Sequence, residues 1–504
     1  MTTSLARARA STCALFCLIL AAAGTTGATT WHVPADFATI QPALDAAAGG
    51  DTVLVAPGTY YAYDTFFFHG RDIVLRSQLV PESTVLIGGE SKVAFCYGEG
   101  PGAVLEGFTI RECWDAPIIC ENSSPTLRDL IIEENSSWFR SPGFGGGLDC
   151  RGASNPIVTN VVFRDNSGAY GGALCCRDGA APILVNCLFE GNDANLGGAA
   201  YISNAAPQCI ATRFIDNRAS PEWYESGFFI EGYGGAIMCE DGAAPRFETC
   251  TFAGNRAANG MYYGPAYGGA VSATGGAAPE FVGCTFHGHE ANSEGGSVYC
   301  AGAASPAFEN CIIAYSADAG GIHCADSAGD ISLTCCDVFG NVGGDYVGIS
   351  DQTGLNGNIS SDPLFCDAGN GDFTIATTSP CLPYHNSCGV LMGAFGAGCV
   401  GTTAAPDDAA PAVATLVASH PNPFNPDTAI RFGLAKAGPV TLSIYDVGGR
   451  LTATLLSAEF LPAGWHTAVW RGRDAAGRPQ ASGVYLCRLD ADGESLTRKM
   501  TLIK

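Results

Sequence analysis

Aromatic side chains and carboxylates are concentrated in three short stretches of the chain, and their types suit binding chemistry. Flat aromatic rings pack against the faces of sugars or against a protein partner, and exposed patches of them commonly mark recognition surfaces. The ionisable groups among them are the only candidates that the sequence offers for acid–base chemistry. The candidate ligand-binding residues are Trp138, Phe139, Trp223, Tyr224, Phe228, Tyr233, Tyr262, Tyr263, Tyr267, Glu222 and Glu225.

These stretches are insertions in a repeated unit that runs from about residue 125 to 325. Each unit opens with a proline, reaches a Phe or Ile seven residues later, and ends at a glycine pair. An Asn usually follows three residues after the Phe or Ile, as at Asn166, Asn192, Asn217 and Asn255. Between this Asn and the second glycine, three units contain 12, 18 and 14 residues, whereas the others contain 5 to 7. If the units stack, all three insertions lie on one side of the molecule.

Within each unit the apolar residues alternate, as in "PILVNCLF" with Ile183, Val185, Cys187 and Phe189, which indicates β-strands. A coil of this length cannot bury its own apolar face, so successive coils must stack and pair strand on strand. The sequence therefore predicts an all-β fold, a right-handed parallel β-helix. Because Asn and Gly accept left-handed backbone conformations, the Asn and Gly-Gly columns are interpreted as structural corners.

Cysteines fall into columns as well. Cys187, Cys250, Cys284 and Cys311 occupy one position of the unit, and a second column follows the glycine pair with Cys150, Cys175, Cys239, Cys300 and Cys324. Interior stacks of thiols are expected, with disulfides where the geometry allows. No CxxC pair with metal-ligand spacing occurs, so neither a metal site nor another cofactor is predicted; calcium has no recognisable motif.

Domain organisation follows from changes in composition. Arg7 and Arg9 precede the apolar run 13–23 and small residues follow, which predicts a signal peptide over 1–28. The β-helix is predicted over 29–399, with a short capping helix over 42–48 and a Cys-rich end containing Cys381, Cys388 and Cys399. An Ala/Pro-rich linker covers 400–415, and alternating strands over 416–504 predict a small β-sandwich. No segment of the mature chain is long enough for a transmembrane helix.

Three resemblances accompany these patterns. The motifs in "FRDNSGAYGGAL" and "FEGNDANLGGAA" resemble the repeat of chlamydial polymorphic outer-membrane proteins and of bacterial β-helix surface proteins. The segment "WHVPADFATIQPALDAAAGGDTVLVAPGTYY" resembles the entry of pectin-lyase-like β-helices. The words "HPNPFNPDTAIRFGL" and "SIYDVGGRL" resemble the FlgD-like Ig-like domain and the C-terminal sorting domain of type IX secreted proteins. This last resemblance implies export to the cell surface through outer-membrane secretion machinery.

The net charge and the absence of complete catalytic motifs limit the functions that the sequence allows. A formal charge of -24 excludes nucleic acid as a partner, leaving an extracellular glycan or a surface protein. Lys92 is the single lysine of residues 29–399, and the catalytic motifs of pectin esterases do not follow the entry segment. The sequence favours a secreted or outer-membrane, non-enzymatic, adhesin-like or glycan-binding protein. The alternative is a polysaccharide lyase or glycoside hydrolase, and the rings themselves can instead fold back to cover the solenoid wall.

Overall fold

The computed structural model describes residues 27–61, 65–89, 93–138, 143–223, 229–258, 264–325, 330–400 and 414–503. The last range excludes positions 417–418, 420–421, 423, 427, 462 and 492, and only the backbone is described at 222, 223, 229, 230, 465 and 467. Residues 1–26 of the predicted signal peptide and 401–413 of the predicted linker therefore lie outside the described residues. No helix within the described part of the chain is long and apolar enough to cross a bilayer.

The chain forms the predicted right-handed parallel β-helix, in which each coil contributes one strand to each of three long parallel sheets. The first sheet has 12 strands, Thr30–Val33, Thr52–Val55, Val74–Ser77, Val104–Glu106, Thr126–Arg128, Ile157–Thr159, Ile183–Val185, Gln208–Ile210, Arg246–Glu248, Glu280–Val282, Ala307–Glu309 and Ser332–Thr334. The second has 11, Gly58–Tyr61, Thr84–Ile87, Thr109–Arg111, Ile131–Glu133, Val162–Arg164, Leu188–Glu190, Arg213–Ile215, Thr251–Ala253, Thr285–His287, Ile312–Ala314 and Asp337–Phe339. The third also has 11, Phe66–Phe67, Val93–Phe95, Ile118–Glu121, Leu148–Arg151, Leu174–Arg177, Ala200–Ser203, Ile237–Glu240, Val271–Ala273, Val298–Cys300, Ile322–Cys324 and Tyr346–Val347.

A shorter fourth sheet, here called the corner sheet, lies between the second and third strands of the middle coils. Its seven strands are Ser167–Tyr170, Asp193–Leu196, Arg218–Ala219, Gly232–Tyr233, Arg256–Ala257, Ala266–Tyr267 and Glu290–Ala291. A two-stranded hairpin, Glu222–Trp223 with Phe229–Ile230, projects from it. The N-terminal helix spans Ile40–Ala46, two residues earlier than predicted, and buries Ile40, Ala43 and Leu44 in the solenoid core.

In-register pairing stacks like residues on like residues inside the solenoid. Phe163, Phe189, Phe214, Phe252 and Phe286 form one continuous stack with ring centroids 4.5–4.9 Å apart. These rings are almost completely buried, and each stacked pair adds about 0.5–1.5 kcal/mol beyond the burial of its area. Repetition of the sequence is therefore converted directly into core packing.

The Asn column forms a buried hydrogen-bonded ladder. Asn192 Nδ2 donates to Phe163 O (3.0 Å) and to Asn217 Oδ1 (2.9 Å), and Asn192 Oδ1 accepts from Asn166 N (3.0 Å) and Asn166 Nδ2 (3.1 Å). The same pattern joins Asn217 to Asn255. The expectation of left-handed backbone at these asparagines is wrong, because positive φ belongs to the residue before them, as at Asp165 (51°) and Gly191 (65°). The corner needs Asn for its side chain, which satisfies backbone groups that the turn leaves unpaired.

The thiol columns differ in detail from their prediction. Cys120, Cys150 and Cys176 face one another across three coils inside the core, whereas Cys175 belongs to the neighbouring, outward-facing column. Disulfides join Cys300 to Cys324, Cys335 to Cys388 and Cys366 to Cys399. The second and third of these fasten the Cys-rich end, where Phe365–Asp367, Asp372–Ala376 and Ala397–Cys399 make a small sheet. Cys381 has a free thiol and hydrogen-bonds Asp337 there.

The C-terminal part has two antiparallel sheets around its own buried core, which includes Phe432, Leu442, Trp470 and Leu489. One sheet contains Thr415–Leu416, Thr428–Leu434 and Gly464–Trp470. The other contains Leu451–Leu461, Gly438–Asp446, Gly483–Ala491 and Glu494–Leu502. This arrangement is the expected small β-sandwich.

The Asn ladder generates a stability prediction. Asn192→Ala removes four hydrogen bonds and leaves buried partners unsatisfied, so we expect the free energy of unfolding of the surrounding coils to fall by about 2–4 kcal/mol. The fold should persist, since coils contact only their neighbours. Hydrogen exchange across the coils measures the loss. Asn155→Ala is the control, because Asn155 is exposed and its side chain accepts one bond, from Ala181 N. Equal effects of the two changes would contradict a structural role for the ladder.

A second prediction concerns Asp337, which is fully buried at the Cys-rich end. Its oxygens accept from Ser361 N (3.0 Å) and Cys381 Sγ (3.1 Å), and burial raises its pKa to about 7. Because the pKa of Asp337 is higher in the folded state than its unfolded value of 3.8, the folded state binds the proton more tightly than the unfolded state does. The stability that this proton contributes is fully present below about pH 4 and is lost as the pH rises to about 7. Asp337→Asn should abolish this loss, which can reach about 4 kcal/mol.

Thermal unfolding monitored between pH 4 and pH 8 tests this expectation, with the exposed Asp330→Asn as the matched control. The variant Asp337→Asn should gain stability relative to the wild type as pH rises. A difference that stays constant across the range would show that Asp337 is not the titrating group.

Candidate functional site

The three insertions leave the solenoid at one common position in the corner sheet. The strand Asp193–Leu196 is unbroken, but on the next coil its counterpart is divided into Arg218–Ala219 and Gly232–Tyr233, with residues 220–231 between them. The following coil is divided in the same way into Arg256–Ala257 and Ala266–Tyr267. On an earlier coil, Ser136 and Phe144 pair with Ser167 and Tyr170 across the insertion 137–143. All three insertions therefore border the second half of the corner sheet.

Two columns of side chains meet beside these insertions, on either side of the Gly-Gly turn. One column ends the corner sheet and contains Phe144, Tyr170, Leu196, Tyr233 and Tyr267, followed by Glu294. The other lies on the third sheet and contains Asp149, Cys175, Tyr201, Met238, Ser272, Tyr299 and His323.

Glycine is required at the turn because the backbones of successive coils approach each other closely there. A Cβ on Gly172 would lie 2.2 Å from Gly198 O, and Gly171 has a φ of +72°. On the first coil the turn is formed by Gly145 and Gly146, because Gly147 pairs at the position that Ala173 occupies on the next coil. The predicted glycine column is therefore displaced by one residue on that coil.

The aromatic members of both columns, here called the aromatic strip, form two groups of rings in contact: Phe144, Tyr170 and Tyr201, and Tyr233, Tyr267 and Tyr299. Leu196 and Met238 lie between the two groups. Tyr233 and Tyr267 stack with centroids 5.0 Å apart, and Tyr267 lies 4.8 Å from Tyr299. Towards the other end, Tyr170 lies 5.1 Å from both Tyr201 and Phe144. The strip thus runs parallel to the solenoid axis over several coils.

Burial divides the strip into a base and an outer layer. Tyr201 and Tyr299 are only 6% and 8% exposed. Tyr201 packs with Met238 and Cys175 against the solenoid wall, and Tyr299 packs against the rings of Tyr233 and Tyr267. Tyr170, Tyr233 and Tyr267 are half-buried and keep part of each ring in solvent. The rings therefore cover the solenoid wall and also present a line of aromatic edges to solvent. These are the two arrangements that the sequence left open.

Carboxylates line the same surface. The Tyr201 hydroxyl donates to Glu240, the Tyr233 hydroxyl donates to Glu231, and Glu294 lies 3.6 Å from His323 Nε2. Burial, followed by these hydrogen bonds, raises the pKa of Tyr201 and Tyr233 well above its usual range, so both phenols stay protonated. The strip accordingly offers neutral rings and negatively charged acceptors side by side.

Asp149 lies near the Phe144 end and is the most perturbed carboxyl of the two columns. It is 4% exposed, its Oδ2 lies 3.2 Å from Arg177 and 3.6 Å from Arg151, and its Oδ1 has no hydrogen-bond partner. Burial raises its pKa to about 6, against the lowering effect of the two arginines. The Arg177 guanidinium in turn lies 4.4 Å above the Phe144 ring.

Of the sequence-predicted site residues, Tyr233 and Tyr267 belong to the strip, and Trp138 is half-buried where the first insertion begins. Glu222 and Trp223 lie in the hairpin, paired with Ile230 and Phe229. The other six, Phe139, Tyr224, Glu225, Phe228, Tyr262 and Tyr263, lie outside the described residues. Sequence reasoning missed Tyr170, Tyr201, Tyr299, Glu240 and Asp149. The signal was present, because Tyr170, Tyr233 and Tyr267 directly precede a Gly pair, and Tyr201 and Tyr299 follow one by three residues.

Potential metal ligands are not grouped at this surface or elsewhere in the described ranges. No three His, Cys, Asp or Glu side chains of the described residues are positioned together to hold a metal ion. The chemistry that the strip itself supports is ring stacking and hydrogen bonding.

The chain has partial similarity to several solved structures. The chain is similar to pectate lyase Pel9A (TM-score 0.35, 13% identity, 74% of this chain and 98% of that chain). It is also similar to a PL6 alginate lyase in complex with a trisaccharide (TM-score 0.36, 10% identity, 76% and 98%). A third similarity, to the type IX secretion component PorZ of Porphyromonas gingivalis, has a TM-score of 0.14 at 24% identity and covers 18% of this chain and 11% of that chain. The chain thus spans about a tenth of PorZ. No protein-family model and no curated protein matches the sequence.

Proposed function

We propose that the chain is a secreted or cell-surface β-helix protein, non-enzymatic, that binds an extracellular glycan along the aromatic strip. The observation that carries this proposal is the line of half-buried tyrosines, Tyr170, Tyr233 and Tyr267, beside the three insertions. A ring that is partly exposed and locked by its neighbours offers an apolar face without a large entropic cost of ordering on binding.

The geometry of the coils supports an extended ligand. Stacked strands repeat about every 4.8 Å, a distance close to the length of one sugar unit in an extended glycan. Glu231 and Glu240 accept hydrogen bonds, and a carboxylate has lone pairs for more than one donor. Rings and acceptors that repeat along one axis suit a linear polymer of hydroxyl-bearing units better than a compact ligand.

Export is the second part of the proposal. Three disulfides favour an oxidising compartment, in agreement with the predicted signal peptide. The β-sandwich over 416–504 carries the motifs that resemble a type IX sorting domain, so we assign it the role of directing passage through outer-membrane machinery. In this proposal the solenoid binds the glycan and the β-sandwich directs export, so the two domains have separate functions.

Asp149 favours a second candidate function, a polysaccharide lyase or glycoside hydrolase. Buried carboxyls with a pKa near neutrality commonly serve as acids or bases in catalysis. Asp149 is held by two arginines and nearly inaccessible, which favours a structural ion pair. New unsaturated or reducing ends released from a glycan panel, and lost in Asp149→Asn, would establish the enzymatic reading.

The binding proposal predicts that Tyr267→Ala weakens affinity for a bound glycan about 10-fold, because the change removes a ring that stacks on Tyr233 and Tyr299. Affinity electrophoresis of the mature protein against a panel of neutral, amino and uronate glycans provides the measurement. Phe460→Ala is the matched control, since Phe460 is a 72% exposed ring on the C-terminal sandwich. If both variants bind like the wild type, the strip is not the binding surface.

The sorting proposal predicts that deletion of residues 416–504 leaves the solenoid folded, because the disulfides Cys335–Cys388 and Cys366–Cys399 close its end before residue 400. In a host with type IX machinery the truncated protein should remain in the periplasm. Cell fractionation with a surface-protease assay measures the distribution. Full surface display without the sandwich would remove its sorting role, whereas an unfolded remnant would place the domain boundary elsewhere.

A further inference from the structure

Three carboxylates beside the aromatic strip, Glu231, Glu240 and Glu294, are not neutralised by arginine or lysine. Glu231 and Glu240 are each bonded to a tyrosine hydroxyl, and Glu294 faces His323. Among the residues that the structure describes, no Arg or Lys forms an ion pair with any of these three acids. The acids on the first half of the corner sheet differ in this respect, since Asp193 pairs with Arg218 and Glu290 pairs with Arg256. Negative charge is thus left uncompensated beside Tyr233, Tyr267 and Tyr299, whereas at the Phe144 end Asp149 pairs with Arg177 and Arg151.

The fields of these acids converge on the outer rings. Glu231 and Glu294, which belong to different coils, both raise the pKa of the Tyr267 phenol, after the larger effect of its burial. A ligand seated on Tyr233 and Tyr267 would therefore lie within reach of carboxylates from more than one coil. A cationic group of such a ligand would be attracted to these carboxylates at low salt, and added salt would screen the attraction.

The free lone pairs of these acids call for a ligand that donates hydrogen bonds. Glu231 and Glu240 each accept one hydrogen bond from a tyrosine hydroxyl, and each carboxylate has lone pairs for further donors. Carboxylate oxygens only accept, so Glu231, Glu240 and Glu294 favour a ligand with donor groups. Hydroxyls and protonated amines supply donors, whereas the carboxylates of a polyuronate supply none and would be repelled.

We infer that the aromatic strip selects a linear glycan whose sugars carry protonated amino groups, and that it rejects polyuronates. This inference rests on the proposed glycan-binding function and specifies its ligand class. Aromatic faces supply the affinity common to all glycans, while Glu231, Glu240 and Glu294 supply the charge complementarity that distinguishes an amino sugar from its N-acetylated form.

The test uses the full mature protein and three probes: a β-1,4-linked glucosamine hexamer, the corresponding N-acetylglucosamine hexamer, and polygalacturonate. At a pH that protonates the amines and at low salt, the glucosamine hexamer should bind about 10-fold more tightly than the N-acetylated hexamer, and added salt should reduce this difference. Polygalacturonate should not bind.

The double variant Glu231→Gln/Glu240→Gln keeps an oxygen acceptor for each tyrosine hydroxyl but removes the charge. It should lose about 10-fold in affinity for the glucosamine hexamer and retain its affinity for the N-acetylated hexamer. Glu459→Gln is the control, because Glu459 is exposed on the C-terminal sandwich.

Each other outcome overturns a distinct claim. Equal, Tyr267-dependent binding of both hexamers would overturn the amine inference and leave the proposed function intact. Absence of Tyr267-dependent binding of any glycan would overturn the proposed function itself. Tyr267-dependent binding of hexalysine as tight as that of the glucosamine hexamer would show that the strip recognises basic peptides rather than sugars, and tight binding of polygalacturonate would reverse the predicted charge preference.

Discussion

In-register parallel pairing of each coil with the next is the constraint on which the rest of this molecule depends. Each interior strand donates to and accepts from both of its neighbours, so a residue at one position of a coil lies directly beneath its counterpart on the next. Side chains that would be scattered in another fold are thereby forced into columns. The residue types that occupy each column therefore set the chemical properties of both the interior and the surface.

Inside the solenoid, this constraint favours residue types that pack well against identical residues on the neighbouring coils. Phenyl rings stack, and the side-chain amide of an asparagine such as Asn192 donates to the coils on both sides while its oxygen accepts from the preceding coil. His289 shows the limit of such substitution. It occupies the Asn position and accepts from Asn255 N through Nδ1, but its Nε2 is buried without a partner. Burial lowers the pKa of this imidazole to about 3 and keeps it neutral. The unsatisfied Nε2 is a small local defect in the column, and the coils around it keep their pairing.

On the surface, the same constraint turns scattered tyrosines into the aromatic strip. The insertions do not interrupt the coils, because each leaves and re-enters within one strand of the corner sheet. The strip consequently keeps its register while loops of different lengths rise beside it. A solenoid can in this way vary a surface without disturbing the core, and under the proposed glycan-binding function the carboxylates beside the rings give that surface its ligand preference.

The sequence by itself determined the coil, since proline, asparagine and glycine recur in phase and apolar residues alternate with a period of two. It also determined that the insertions share one corner, because they all lie between the Asn and the Gly pair. Only the tertiary structure decided which columns face each other, since that depends on single-residue register. Gly147 pairs with the Ala column rather than the Gly column, and of the adjacent Cys175 and Cys176 only the second points into the core. Tyr201 and Tyr299 could not be joined to Tyr233 and Tyr267 from the sequence, because a sharp glycine turn brings together two strands whose side chains otherwise face different directions.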